Sequence, residues 1–482
     1  MTPEGYNSMR VEQFFLEGLG HQSYLVTDEK SGVAAVVDPR RDIEIYLEAA
    51  ERANARITHV FETHVHNDYV TGALELQARA GATIVTAAAA GVTYDHLGVA
   101  GGDSVALGAL RLVAIETPGH TPTHMSYALY PEDASEPSAV FTGGSLLVGN
   151  AGRTDLVSPG MTIALTRDQY RSLRRLLDTL PESARVYPTH GAGSFCGAVT
   201  AEAVERSSTI ARERVNSPVA FAHDEAEFVA MQMAGYGLYP SYYSAMRDIN
   251  LAGPRVLGGI PALPGLTPEQ INNLMRIGVP LIDGRPRDDF AREHVSGSLN
   301  IELDASFGTY VGWLLPFNGP LALLLPEEAA RREAVAQLIR IGYEQARGYL
   351  EGGVEAWKDA GYATGSFERM SVTDLHQRWS AGGVAILDVR DETEWRSGHI
   401  PASQHLHIAD LPRHMHELPL DRPIAVICRS GHRASIGASL IAALGREVIA
   451  VKEGVGDWIA RGHPARTGAM NEPAPELEHA HP

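Results

Sequence analysis

Cysteine is scarce in this chain, which has two in 482 residues. So few thiols exclude a disulfide-stapled fold, and the N-terminal MTPEGYNSMRVEQ lacks the basic start and apolar run of an export signal. A cytoplasmic location with two free thiols is the resulting expectation. Long apolar runs are missing as well. The nearest approach to the roughly 18 residues that span a bilayer is residues 311–325, which Pro316 and Pro320 interrupt, so no membrane partner is expected. Positive charge is also short: 40 Lys and Arg face 59 Asp and Glu, a net charge of −19. Nucleic acid rewards clustered basic residues, so it is not an expected partner. A small anion remains compatible, because a local basic loop can still attract one.

What is present is an ordinary globular composition, 44% hydrophobic and 21% charged. The length suits about three domains. Only residues 471–482 have the composition of a disordered tail. The first stretch reads as α/β: residues 33–37 form a buried-strand run ending at Asp38-Pro39, residues 43–53 have helical spacing, and residues 57–61 form a strand. Helical, polar sequence from about residue 200 leads into a Gly/Pro-rich connector at 252–265. Beyond it the sequence repeats. Asp283-Gly284-Arg285, Phe290 and His294 are matched by Asp388-Val389-Arg390, Trp395 and His399, about 105 residues apart. The ends match too, Glu351-Gly352-Gly353-Val354 to Trp357 against Glu453-Gly454-Val455 to Trp458. Two tandem α/β units of about 100 residues follow. The expected division is residues 1–250, 251–367, 368–470 and the tail.

In the second repeat an apolar strand runs into Cys428, and a small-residue helix is expected over 434–444. Cys428-Arg429-Ser430-Gly431-His432-Arg433 is therefore a strand-to-helix turn, whose amides and helix dipole favour a thiolate or persulfide. Cys428 is the expected nucleophile, Arg429 and Arg433 the expected anion contacts, and Ser430, Gly431 and His432 the substrate-binding loop. With Asp388-x-Arg390 and Gly398-His399-Ile400-Pro401, this loop resembles the rhodanese family, in which the loop cysteine relays sulfane sulfur. Phosphatases of related fold place five residues between Cys and Arg; four stand here, a tighter loop suited to sulfur. The first repeat has no cysteine in residues 260–367 and carries Leu321 to Pro326 at the corresponding place, so it is expected to be catalytically silent.

Upstream, Thr63-His64-Val65-His66-Asn67-Asp68 follows a strand, and Pro118-Gly119-His120 and Thr189-His190-Gly191 lie further on. Imidazoles and a carboxylate on separate loops are the donors of Zn or non-haem Fe sites. The spacing resembles the metallo-β-lactamase fold, and within it the persulfide dioxygenases, helped by Arg153-Thr154-Asp155. The resemblance implies an αββα sandwich ahead of two tandem rhodanese-like α/β domains, and one Fe(II) per chain, with Zn as the alternative. The iron-binding histidines map onto His64 and His120. Tyr69 stands where the first motif ends in histidine, which removes a donor for a second metal. Gly144 stands where the family has its metal-binding aspartate, so His66, Asp68, His190 or water is left to complete the site. Cys196, six residues past His190, is similar in place to a cysteine in fused proteins of this kind and is read as a persulfide-handling thiol.

The expected activity is Fe(II)-dependent oxidation of a small-molecule persulfide to sulfite, coupled to sulfur transfer through Cys428 with thiosulfate formed or used. Two other readings stand beside it. One is a metal-dependent thioester hydrolase fused to the sulfurtransferase; the other is a degenerate N-terminal scaffold with only Cys428 active. Extra modules on this fold often assemble, so a homo-oligomer is compatible.

Overall fold

A computed structural model describes residues 9–191, 193–197 and 205–468. The start of the chain, through residue 8, and the tail at 471–482 lie outside the described residues. Among the described residues no helix is long and apolar enough to cross a membrane. Residues 311–325 fall partly in the helix Phe307–Leu314 and partly in the strand Leu321–Leu324.

Contacts divide the chain into two compact units. The first comprises the described part of residues 1–262 together with Asp304–Asn318 and Arg332–Glu344, and the second comprises Leu263–Leu303, Gly319–Arg331 and the described residues from Gln345 onward. The division at 250/251 and 367/368 follows sequence modules; the spatial division differs because two segments of the middle module lie within the first unit.

The first unit has two six-stranded sheets. One runs Met9–Leu16, His21–Asp28, Val33–Val37, Arg56–Phe61, Thr83–Ala87, Leu97–Val99 in spatial order. The other runs Ser208–Thr209, Arg185–Pro188, Ala139–Gly143, Met125–Tyr130, Leu110–Glu116, Ser104–Leu107. The uninterrupted apolar run Val33–Val37 is explained by burial on both faces. Ala35 and Val37 join Phe61, Leu112, Tyr127, Leu129 and Phe141 in the core between the sheets. Ala34 and Val36 point the other way, against the helices Glu44–Arg52 and Ala73–Ala80 through Tyr46, Ala49 and Leu76. The second sheet is covered likewise by Thr162–Thr179, with Val140 and Val186 against Leu173, Leu176 and Leu177. The result is the expected αββα layering. Val33–Val37 and Arg56–Phe61 are parallel, as are Ala139–Gly143 and Arg185–Pro188. Their carboxyl ends release Asp38, Glu62 to Tyr69, Gly144 and Thr189-His190, where layered α/β folds commonly place their chemistry.

In the second unit each repeat forms a five-stranded parallel sheet with the same spatial order of strands: first, fifth, fourth, second, third. The shared sequence signs are structural. Arg285 grips Asp283 with hydrogen bonds of 2.6 to 3.1 Å, and Arg390 grips Asp388 with 2.7 to 3.1 Å. His294 stacks on Phe290 at 4.1 Å between ring centroids, and His399 on Trp395 at 3.5 Å. Trp357 and Trp458 each donate their indole N–H to a carbonyl six residues on, those of Ala363 and Pro464.

Candidate functional site

The histidine centre is built on strand ends whose polar groups are fixed before any ligand arrives. Asp38, at a positive φ of 50° just past Val33–Val37, accepts from the Thr63 amide at 2.7 Å and the Thr63 hydroxyl at 2.7 Å. Its carboxylate also accepts the Thr189 hydroxyl. Thr63 Oγ1 thereby has its proton committed and accepts from His64 Nδ1 at 2.8 Å. His120 Nδ1 donates to the Arg153 carbonyl at 2.7 Å, and a carbonyl can only accept. Both rings consequently present an Nε2 lone pair, and both Nε2 atoms are buried without a partner. This is the tautomer control that metal-ligating histidines need.

His190 is fully buried with neither ring nitrogen hydrogen-bonded, and its Nδ1 lies 3.4 Å from Asp68 Oδ2. The centroids of His64, His120 and His190 are 4.7, 5.4 and 5.5 Å apart. Ligating atoms of these three lie within 4.8 Å of one another. Burial pushes all three away from the charged form: His120 falls to about 4, and His64 and His190 fall well below the ordinary imidazole value. Neutral imidazoles with orphaned, converging nitrogens are the donor set of a divalent metal ion.

The other expected ligands are placed differently. His66 gives its Nε2 to Glu62 at 2.9 Å and Tyr69 OH at 3.0 Å, with Asp38 at 3.4 Å. Burial opposes its charge, but the Asp38 and Glu62 carboxylates outweigh it and hold the imidazole up to about 10. Its Nε2 is thus engaged by carboxylates while its buried Nδ1 has no partner, and it groups with Asp38 and His64 or with Asp68 and His190, not with His64 and His120 together. Asp68 is buried, which raises its carboxyl to about 6, and both its oxygens lack hydrogen bonds. It groups with His66 and His190, not with His64 and His120. Tyr69 spends its hydroxyl on His66 and on the Asp38 carbonyl at 3.3 Å. At Gly144, a Cβ would fall 2.3 Å from His120 Cδ2 and 2.7 Å from Nε2, so the imidazole of His120 occupies the space a side chain there would need.

Cys196 is fully buried close to Asp68, and burial, with the carboxylate adding to it, pushes its thiol well above the usual range. That is the reverse of the setting that activates a thiol. Arg153 pairs with Asp155 at 2.7 and 2.8 Å and holds the Phe195 carbonyl at 3.1 Å, which fixes the backbone carbonyl that orients His120. Three contributors were not singled out from the sequence. His124 accepts the Gly144 amide at 3.0 Å through Nε2, Asp38 organises Thr63 and Thr189, and Asn250 holds the His66 and Tyr69 carbonyls at 2.9 and 2.8 Å. The only signal for His124 was its position four residues after His120.

In the second unit Cys428 ends the strand Ile424–Cys428, fully buried, and the helix His432–Ala442 starts four residues later. The Gly431 amide donates to Cys428 Sγ at 3.1 Å. Two glycines shape this turn. Gly431 sits at φ 83° with a Lys452 carbonyl 2.4 Å from where a Cβ would be, and at Gly454 the Arg429 carbonyl lies 1.7 Å from that position. Arg429 and Ser430 are exposed, and His432 is half-buried. The Arg433 guanidinium donates to both Glu394 oxygens at 2.6 and 2.9 Å, so a carboxylate stands beside the expected anion contact. The first repeat aligns by register. Asp283 pairs with Leu324 as Asp388 pairs with Ile427, so Leu325 stands where Cys428 does. The Leu325 carbonyl accepts from Arg331 at 3.1 Å.

The metallo-beta-lactamase superfamily model matches residues 16–190, and the rhodanese-like domain model matches residues 267–360 and 371–461. A probable metallo-hydrolase of Burkholderia pseudomallei is 31% identical over 47% of this chain and 86% of that protein. Human persulfide dioxygenase ETHE1, mitochondrial, is 29% identical over 39% of this chain and 69% of that protein. A solved structure, a metallo-beta-lactamase from Staphylococcus aureus subsp. aureus COL, covers 71% of this chain and 99% of that one at 27% identity, with a TM-score of 0.64.

Proposed function

The chain belongs to the metallo-β-lactamase superfamily and carries two rhodanese-like domains behind that fold, and from this we propose that it is an enzyme of persulfide metabolism and sulfur transfer. The observation that carries the proposal is the Gly431 amide donating to Cys428 Sγ at 3.1 Å, at the start of a helix of eleven residues. An N–H and a helix N-terminus aimed at sulfur favour its anionic forms, thiolate and persulfide. Thiosulfate donates its outer sulfur to the Cys428 thiolate, the S–S bond breaks, and sulfite leaves with the electron pair. The reverse step makes thiosulfate from sulfite and the Cys428 persulfide.

The histidine centre would generate that sulfite. A low-molecular-weight persulfide, O2 and water give the free thiol, sulfite and two protons, with four electrons passing from sulfur to O2. Bound at the histidines, one Fe(II) ion would supply the one-electron chemistry that O2 requires. His64 and His120 would hold it through Nε2, oriented by Thr63 and the Arg153 carbonyl. The match to a persulfide dioxygenase supports this reading, and Tyr69 and Gly144 weigh against a two-metal hydrolase, because each removes a donor the second metal would use. Having both sites in one chain raises the effective concentration of sulfite near its acceptor.

The test is O2 uptake by the iron-loaded full chain given glutathione persulfide, with sulfite and thiosulfate measured. Uptake stoichiometric with sulfite is expected, and thiosulfate should appear only while Cys428 is intact. Iron bound without any O2 uptake would reject the oxidation half.

A further inference from the structure

Among the described residues, the donors near His64 and His120 can be sorted by whether their lone pairs are already spent. His124 spends its Nε2 on the Gly144 amide and Asp38 accepts from Thr63 and Thr189, while His66 gives its Nε2 to Glu62, keeps an unpartnered Nδ1, and does not group with His64 and His120 together. Gly144 offers nothing. His190 alone combines unspent nitrogens, full burial and a ligating atom within 4.8 Å of those of His64 and His120. Asp68 also has unspent oxygens, but it stands on the far side of the grouping, sharing His190 and not the other two.

We infer that this chain holds its metal through three histidines, His64, His120 and His190, with no carboxylate bound to the ion, and that Asp68 is a positioning residue for His190. This rests on the reading that the centre takes one metal ion. Asp68 Oδ2 lies 3.4 Å from His190 Nδ1, not hydrogen-bonded to it but on the side of the ring where Thr63 bonds His64 and the Arg153 carbonyl bonds His120, so Nε2 is the atom left for the metal. Each of the three rings thus has an oxygen at Nδ1. The consequence is charge. Three neutral ligands leave a divalent ion its full two positive charges, where a carboxylate ligand would cancel one, and a persulfide anion is drawn more strongly to the former. Losing the family aspartate is, on this view, a change of ligand set and not a loss of the site.

The experiment loads the full-length protein with Co(II), a spectroscopic probe, and counts imidazoles by X-ray absorption. Three imidazoles and one Co(II) per chain are expected; two imidazoles, or a carboxylate oxygen from the protein, would overturn the inference. Metal titration adds an independent reading. His190→Gln should weaken Co(II) binding as much as His64→Gln does, by about 100-fold or more, and Asp68→Asn by about 10- to 100-fold. A His190→Gln protein binding Co(II) as tightly as the parent would also overturn it. These readouts separate the two proposals: three imidazoles without O2 uptake by the iron form reject the dioxygenase reading alone, and two imidazoles with uptake reject this one alone.

Discussion

The Arg340 guanidinium closes on the Asp42 carboxylate with hydrogen bonds of 2.8 and 2.6 Å, and both side chains are buried. The two residues are 298 positions apart in sequence. The Arg340 carbonyl also accepts the Val70 amide at 2.7 Å, immediately after the histidine loop. This segment of the middle module is therefore part of what holds the first unit's site loop in place. Breaking a buried pair typically costs about 3–5 kcal/mol. Arg40, 3.2 Å from Asp42, keeps that carboxylate partly compensated, which points to the lower end. Arg340→Ala should lower the melting transition of the first unit in scanning calorimetry, and an unchanged thermogram would contradict this role.

The cysteine turn makes a sharper case. Cys428→Ser should abolish thiosulfate-dependent sulfur transfer. Gly431→Ala forces a Cβ toward the Lys452 carbonyl, 2.4 Å away, at a φ of 83°. Strain of about 1–3 kcal/mol is expected there. If the turn relieves it by moving the amide off Sγ, turnover falls roughly tenfold for each 1.4 kcal/mol. A Gly431→Ala protein with parental turnover would show that the amide is not needed.

Acid should reach Asp391 only after the pH has fallen below the usual carboxylate range. Burial works against its charge, but hydrogen bonds from the Thr393 hydroxyl and the Glu394 amide, with Arg433 nearby, hold it well below the usual carboxylate range. Its folded pKa is thus depressed, so its contribution is complete above the unfolded value and is lost as pH falls through the folded one. As the N-cap of Glu392–Ser397 it is worth about 1 kcal/mol. Asp391→Ala should therefore melt lower than the parent at neutral pH, with the gap narrowing in acid. A gap that widens on acidification would reverse the assignment.

Asn300 of the first repeat reaches the helix that follows Cys428. Its Oδ1 accepts from Ser435 at 3.0 Å, its amide donates to Ser439 at 3.0 Å, and its Nδ2 donates to the Asp283 and Arg285 carbonyls at 3.0 and 3.1 Å. All of these groups except Arg285 are buried. Asn300→Ala removes the side-chain bonds to Ser435 and to the Asp283 and Arg285 carbonyls and leaves the backbone bond to Ser439, at about 1–3 kcal/mol for each buried group left unpaired. The expected result is a lower melting temperature of the second unit and slower sulfur transfer, both read on the same preparation. Unchanged melting would mean water replaces the amide.

Much of this was legible because it is local. The repeated Asp-x-Arg and aromatic-to-histidine spacings report contacts made within a few residues, as Arg285 to Asp283 and His399 to Trp395. The strand-to-helix turn at Cys428 was readable from an apolar run meeting glycine and a small-residue helix. The histidine loops were readable as donors, but not their division of labour. Which of them converge on one point depends on how His64, His120 and His190, far apart in sequence, are brought together by folding. The carboxylate beside Arg433 was not legible, because Glu394, 39 residues away, carries no mark of its partner. The packing of residues 304–318 and 332–344 within the first unit was hidden for the same reason.

Leu325 fills the seat that Cys428 occupies in its sister repeat, with its branched end 2.6 Å from where a Gly284 Cβ would be. On the function proposed above, the second unit is a carrier with one berth. Sulfur cannot pass hand to hand between its copies, so every cycle there must be opened and closed by a molecule that diffuses in, and labelled thiosulfate should leave at most one sulfur atom on that unit however long the incubation.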